Sequence, residues 1–214
     1  MAKVGIGVTS YNRPECLKEC LEHINKHTES FEIHVATDTD EDRKGVAFRK
    51  NECLRALKDC DYVFLFDDDC FPIKDGWVEF FVGKMQFILT SHLLFLTDKL
   101  HGKTHQHVNG CHIYNNCGGV FMALTKAQID RVGAFNEKFK MWGFEHAEYS
   151  QRISKARMNW MPYLCANRTD EYLFAHDYST PGHCSSISNE QKNIFFRENF
   201  PKFKEPIKQI YIPL

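Results

Sequence analysis

"YVFLFDDDCFP", residues Tyr62 to Pro72, sets five residues that favour burial directly ahead of three consecutive acids, Asp67, Asp68 and Asp69. A continuous apolar run of this kind, without polar alternation, is the pattern of a strand covered on both faces, as in a parallel sheet. Two like charges about 4 Å apart cost on the order of 4 kcal/mol at an effective dielectric of about 20. The acids at the end of this strand therefore call for a positive partner. Alternate carboxylates, Asp67 and Asp69, offer the oxygen ligands that Mn²⁺ or Mg²⁺ takes, and such an ion often bridges protein carboxylates to phosphates. Taken alone, a short acidic run is also compatible with a solvated strand end.

Outward from this stretch, strand and helix signals alternate. "VGIGVTS" reads as a strand, and "RPECLKECLEHINKH" carries Cys16, Leu17, Cys20, Leu21 and Ile24 at helical spacing with Pro14 suited to the first turn. "FEIHVAT" is a second strand, and a helix from about Val46 to Leu57 places Cys53, Leu54 and Leu57 on one face. The resulting βαβαβ order predicts a right-handed, doubly wound sheet with its ligand crevice beyond the C-terminal ends of the strands, where the acids lie. Further on, "GWVEFFVGKM" predicts a helix with Trp77, Phe80 and Phe81 inward, followed by strand-like "FILTSHLLFLT" and a His-rich loop from His101 to His112. "GGVFMALTK", "AQIDRVGAF" and a helix opening near Glu145 complete the pattern, with weak periodicity from about Ser179.

The 214 residues, undivided by a Pro/Gly/Ser-rich linker, predict one domain: residues 1–100 as a first half, 101–178 as a second, and 179–214 as a C-terminal packing segment. A composition with 43% hydrophobic, 14% aromatic and 26% charged residues belongs to a globular protein, and a net charge of −1 gives no chain-wide attraction to nucleic acid or anionic membrane. Nine cysteines, an odd number with no secretory signal ahead of Lys3, predict reduced thiols and a cytoplasmic setting rather than a disulfide scaffold. No apolar run approaches the roughly 20 residues of a membrane span.

Three segments, "VTSYNRP", "ATDTDEDRKGVAFRKNECL" and "FLFDDDCFP", each following a strand, together resemble the N-terminal half of GT-A glycosyltransferases, especially the family 2 group. The segment "GGVFMALTKAQIDRVGAFNEKFKMWGFEHAEYSQRI" resembles the Gly-Gly strand, helix and W-G-x-E motif of β-1,4-galactosyltransferases and polypeptide N-acetylgalactosaminyltransferases. The resemblance implies an α/β GT-A fold with a mostly parallel, doubly wound central sheet flanked by helices and a smaller acceptor-side subregion. It implies a metal-dependent transferase of a sugar from a nucleoside-diphosphate donor, UDP-sugar favoured. By the same resemblance Thr9, Tyr11, Arg13, Asp38, Arg49, Asn51, Asp67, Asp68, Gly118 and Gly119 would bind the nucleotide and donor sugar, and Trp142 and Gly143 the acceptor. Asp69 and His176, with Asp67, would form the metal site of a DxD motif; His101, His105, His107 and His112 are rivals ranked as loop residues first.

One position departs from the family pattern. Inverting members commonly carry Glu-Asp with the Asp as base, whereas this chain has Glu145-His146. The base is open among Glu145, His146 and Glu148, in that order, and so is the stereochemistry. Acceptors compatible with the sequence are a glycan, a protein or a hydroxylated DNA base. The C-terminal segment interleaves Lys192, Arg197, Lys202, Lys204 and Lys208 with Phe195, Phe196, Phe200 and Phe203, a pattern of core packing first and of nucleic-acid contact second. A non-catalytic nucleotide- or sugar-binding module is the alternative from another class. A nucleotidyltransferase is disfavoured because "VTSYNRPE" is not a Gly-rich basic loop, and an aspartyl phosphatase because Cys70-Phe71 follow the acids.

Overall fold

The computed structural model of the protein describes residues 2–97, 106–176 and 187–214. His101 and His105 of the expected loop lie outside the described residues. Strands β1 (Val4–Tyr11), β2 (Glu32–Asp38) and β3 (Tyr62–Asp67) alternate with helices α1 (Pro14–His27) and α2 (Val46–Ala56). All three strands are parallel in the order β2-β1-β3, with Thr9 opposite Asp67 and Tyr11 opposite Asp38. The run of β3 is apolar throughout because both faces are covered. Phe64 and Phe66 join Trp77, Phe81 and Phe121 on one side, and Val63 and Leu65 join Cys53, Leu54, Met122 and Tyr149 on the other. Gly7 lets α2 approach β1 closely, since a Cβ there would stand 2.6 Å from Cys53 Cβ.

Beyond β3 come β4 (Cys70–Pro72), α3 (Trp77–Phe87), β5 (His92–Leu94), β6 (Gln106–Val108), β7 (Cys111–Ile113), β8 (Phe121–Thr125), α4 (Lys126–Val132), α5 (Glu145–Lys155), β9 (Leu164–Ala166), β10 (Leu173–Ala175) and α6 (Asn189–Lys204). The main sheet has the order β2-β1-β3-β8-β5-β9-β7-β6, and β10 pairs with β4 in a second sheet. It is a mixed sheet, because β8 runs antiparallel to both β3 and β5, and β7 antiparallel to β9 and β6. The expectation of a mostly parallel sheet fails at β8, since an apolar pattern reports that a strand is buried and not which way it runs.

Two local readings also change. "FILTSHLLFLT" is not one strand: α3 continues through Phe87, Leu89 takes a positive φ of 53°, and the Thr90 amide donates back to the Met85 carbonyl at 3.0 Å. Only His92–Leu94 remains as strand. The described part of the His-rich loop is a hairpin of β6 and β7, turned at Asn109-Gly110 with φ of 50° and 75°. Asn-Gly is the dipeptide such turns favour, because both central residues must be left-handed. Helix α6 carries a Ser188/Gln191 capping box and packs Phe196, Phe200 and Phe203 around Phe144. Among the described residues no helix is long and apolar enough to cross a membrane.

Candidate active site

The parallel register brings the ends of β1, β2 and β3 together at one side of a cleft of about 430 Å³. Thr9, Tyr11, Arg13, Asp38, Arg49, Asp67 and Asp69 line it from the first half, and Gly118, Gly119, Trp142, Gly143, Glu145 and His146 from the second. Asn51, Asp68, Glu148 and His176 are absent from that lining. Arg43 and Cys117, not anticipated as site residues, also line the cleft, as do Lys192, Phe196 and Phe203 of the segment read as packing first.

The positive partners that the acidic run requires come from the chain itself. Lys50, fully buried on α2, stands 2.6 Å from Asp67 Oδ1, which also accepts from the Thr9 hydroxyl at 3.0 Å. Burial opposes the charge on Asp67, but Lys50, His146 and the hydroxyl outweigh it and hold the carboxyl below its ordinary range. Arg13 bridges the other two acids, donating to Asp69 Oδ2 at 2.7 Å and to Asp68. Ser10 donates to Asp68 at 2.6 Å. Asp68 is fully buried, and that burial lifts its carboxyl to about 7 against the pull of Arg13 and Ser10. It does not line the cleft. Lys50 had a legible signal: it shares the inward stripe of α2 with Ala47, Cys53 and Leu54, and a lysine there demands a counter-charge.

Asp38 is committed to its own loop. Its carboxylate accepts from the Lys44 and Gly45 amides at 2.9 and 2.7 Å and from Arg49 Nε at 2.7 Å. It lines the cleft at the end of β2, and its lone pairs are largely spent on these contacts. Arg43, from the same loop, lies 4.1 Å over the Tyr11 ring and 5.8 Å from the Phe195 ring of α6. Asn51 clasps the chain at Phe135, accepting from its amide at 2.7 Å and donating to its carbonyl at 3.0 Å. This is a packing role away from the cleft.

On the opposite wall, Gly143 and Phe144 both have positive φ, 92° and 72°, and this left-handed turn aims the first turn of α5 at the cleft. Non-glycine residues in that region carry strain that tends to persist at functional sites. Glu145 Oε1 and His146 Nδ1 are 2.8 Å apart, and an acid in a first helical turn is favoured by the exposed amides there. Glu148 faces away: it bonds Arg152 Nε at 2.9 Å, and Arg152 in turn donates to the carbonyls of Val132, Ala134 and Ile210. Asn199 of α6 donates to the carbonyls of Phe139 and Trp142 at 2.9 and 2.8 Å, tying the C-terminal helix to the Trp142 turn.

His176 follows β10, and its backbone amide donates to the Asp69 carbonyl at 2.9 Å. Its ring packs edge-on against Phe71 and Phe174, with Nε2 2.8 Å from Glu19 Oε2. Two carboxylates and an imidazole at the ends of β3, β4 and β10 are a suitable donor set in type for Mn²⁺ or Mg²⁺. The side chain of Asp67 keeps 25% of its surface open, and the demand of these acids for positive charge is met here by Arg13 and Lys50. As the side chains stand, no three His, Cys, Asp or Glu groups converge among the described residues. The residues fit a divalent ion in type. His107 and His112 pair with each other across the hairpin, ring centroids 4.3 Å apart, and neither lines the cleft.

A family described as the N-terminal domain of galactosyltransferase matches residues 103–177. An uncharacterized glycosyltransferase of Acanthamoeba polyphaga mimivirus is 24% identical over 73% of this chain and 75% of its own. The Drosophila β-1,4-galactosyltransferase 7, solved as a mutant with manganese, UDP-Gal and xylobiose, superposes with a TM-score of 0.59 at 18% identity over 99% of this chain and 83% of that one. A mannosyltransferase of Pyrobaculum calidifontis, solved with GDP-Man and Mn²⁺, superposes with a TM-score of 0.53 at 14% identity over 79% of this chain and 55% of that one.

Proposed function

We propose that this chain, a glycosyltransferase of the GT-A fold, moves a sugar from a nucleoside-diphosphate donor, UDP-sugar favoured, to a saccharide hydroxyl in the presence of Mn²⁺ or Mg²⁺. The observation that carries the reading is the single cleft that joins the two halves: Thr9, Tyr11, Asp67 and Asp69 face Gly118, Gly119 and Trp142 to His146. Solved relatives of the same fold hold UDP-Gal with manganese and xylobiose, or GDP-Man with Mn²⁺. That favours a nucleoside diphosphate at the β1–β3 end and a sugar hydroxyl at the Trp142 wall.

Thr9, Tyr11 and the Asp38–Arg49 loop form the nucleotide wall, and Arg43 covers the ring face on which a base would stack. The backbone at Gly118 and Gly119, without side chains, leaves room for a donor sugar. Trp142 and Gly143 frame the acceptor side, where an aromatic face suits a sugar ring. Asp67 and Asp69, with His176, would hold the cation. When bound, it supplies charge neutralisation for the departing diphosphate, in place of leaving-group protonation.

Titration calorimetry with UDP, GDP and CDP, each with and without Mn²⁺, tests this reading alongside nucleotide release from the matching sugar donors. The expected outcome is one nucleotide bound much more tightly with Mn²⁺ than without, and lost in Asp67→Asn and Asp69→Asn. Binding that no nucleotide and no metal improves, together with no donor turnover, would refute it.

A further inference from the structure

We infer that His146 is the base that accepts the acceptor hydroxyl's proton through Nε2, and that Glu145 is the positioning residue that holds its imidazole; the inference rests on the transferase reading above. The resemblance that first suggested a reaction here expects a carboxylate at this place, and this chain has an imidazole whose surroundings are built to orient it. The Nδ1 atom lies 2.8 Å from Glu145 Oε1. With Nδ1–H donating to that carboxylate, the lone pair is fixed on Nε2. The ring is clamped against the backbone, since a Cβ on Gly119 would fall 2.0 Å from Nδ1 and 2.1 Å from Cε1. The Phe135 ring meets the imidazole edge-on at 5.8 Å.

His146 lines the cleft, yet its Nε2 is buried and has no hydrogen-bond partner among the described residues. A buried acceptor with no donor is costly, and such sites persist where a ligand completes them. A substrate O–H is the missing donor. The charged and titratable groups around the ring are Glu145 on its own helix, Asp67 on β3, which interacts with it electrostatically, and His92 on β5, kept neutral by burial. The Cys117 thiol, pushed up by desolvation, is neutral as well. Glu148 is not a competing base, because Arg152 and Asn136 engage it.

The step balances without a further reagent. The acceptor oxygen forms a bond to the anomeric carbon while the bond from that carbon to the diphosphate oxygen breaks, its electron pair leaving on the diphosphate. The proton of the acceptor O–H passes to His146 Nε2 and from there to solvent. An arrangement of base and orienting carboxylate does the same work in other hydroxyl-activating sites.

The test measures UDP release from UDP-galactose with Mn²⁺, with xylobiose or water as acceptor, and UDP affinity in the same samples. His146→Ala is expected to lose at least about 100-fold in kcat while UDP affinity holds, and imidazole added to the buffer is expected to restore part of the loss. His146→Gln, closer in shape, guards against a folding defect and is expected to show the same loss without rescue. Glu145→Gln is expected to lower kcat by about 10-fold with KM little changed. A His146→Ala or His146→Gln enzyme within threefold of the parent, or a Glu145→Gln enzyme as dead as His146→Ala while His146→Gln stays active, overturns the assignment and leaves the transferase reading in place. A parent protein that neither binds UDP nor releases it from the donor overturns both.

Discussion

Gly119→Ala perturbs the candidate active site without changing a single functional group. A methyl on Gly119 would lie 2.0 Å from His146 Nδ1, 2.1 Å from Cε1 and 2.5 Å from Cγ. Ordinary contact between such atoms begins near 3.5 Å, so the ring has to withdraw by roughly 1.5 Å. Gly119 belongs to the segment leading into β8 and His146 to the first turn of α5, both next to a packed core, so the ring is the part expected to yield. A withdrawal of that size breaks the 2.8 Å bond to Glu145 and displaces Nε2. A misplacement of about 1 Å costs on the order of 100-fold in rate. The assay is kcat/KM for UDP release from UDP-galactose with Mn²⁺, run beside UDP calorimetry and thermal unfolding. Expected are a fall of about 100-fold in turnover, UDP affinity within a few-fold of the parent and a modest loss of melting temperature. Turnover within threefold of the parent in a folded Gly119→Ala protein would refute the reasoning, since the imidazole would then be free to move without consequence.

Two further predictions concern stability. His92 is fully buried, its Nε2 3.2 Å from the Ser150 hydroxyl and its Nδ1 3.4 Å from Asn159 Nδ2, and burial together with His146 depresses its pKa to about 3. Below about 6.5 the unfolded chain takes up a proton that the folded chain refuses. Stability from this group is therefore complete above that pH and is lost at about 1.4 kcal/mol per unit as pH falls toward 3; urea titrations of His92→Gln between pH 7.5 and 4.5 should show a shallower loss than the parent, and equal slopes would refute the claim. Arg152→Met leaves Glu148 buried without its cation and frees three carbonyls, so a loss of about 3–5 kcal/mol is expected by urea unfolding. Adding Glu148→Gln should recover part of it, and a single variant as stable as the parent would show that the pair contributes nothing.

The parts of the fold legible in the sequence are those where one local pattern has one solution. The apolar run of β3, the stripe of α1 and the inward face of α2 each specify burial and period, and the βαβαβ order with its acids at a strand end follows from them. The direction of β8 was not legible, because a buried strand has the same composition either way round. The hairpin at Asn109-Gly110 was legible in its dipeptide, but a reading of the surrounding histidines as a loop overlooked it.

At the site, the acidic run by itself raised Asp67 and Asp69 as candidates, and the resemblance of the second-half segment to glycosyltransferases raised Gly119, Glu145 and His146. It ordered the candidate bases Glu145, His146, Glu148 without deciding among them, because three residues in the first turn of a helix differ chiefly in the direction each side chain points. Tertiary structure separated them: Arg152, four residues along α5, turns Glu148 into the core, while the Gly119 backbone clamps His146 beside Glu145. The answer to the acidic run was divided in the same way. The need for positive charge beside Asp67, Asp68 and Asp69 follows from Coulomb's law applied to the sequence. That Lys50 and Arg13 supply it, from elements 17 and more than 50 residues away, is a property of packing, because it depends on which helix face meets which strand end.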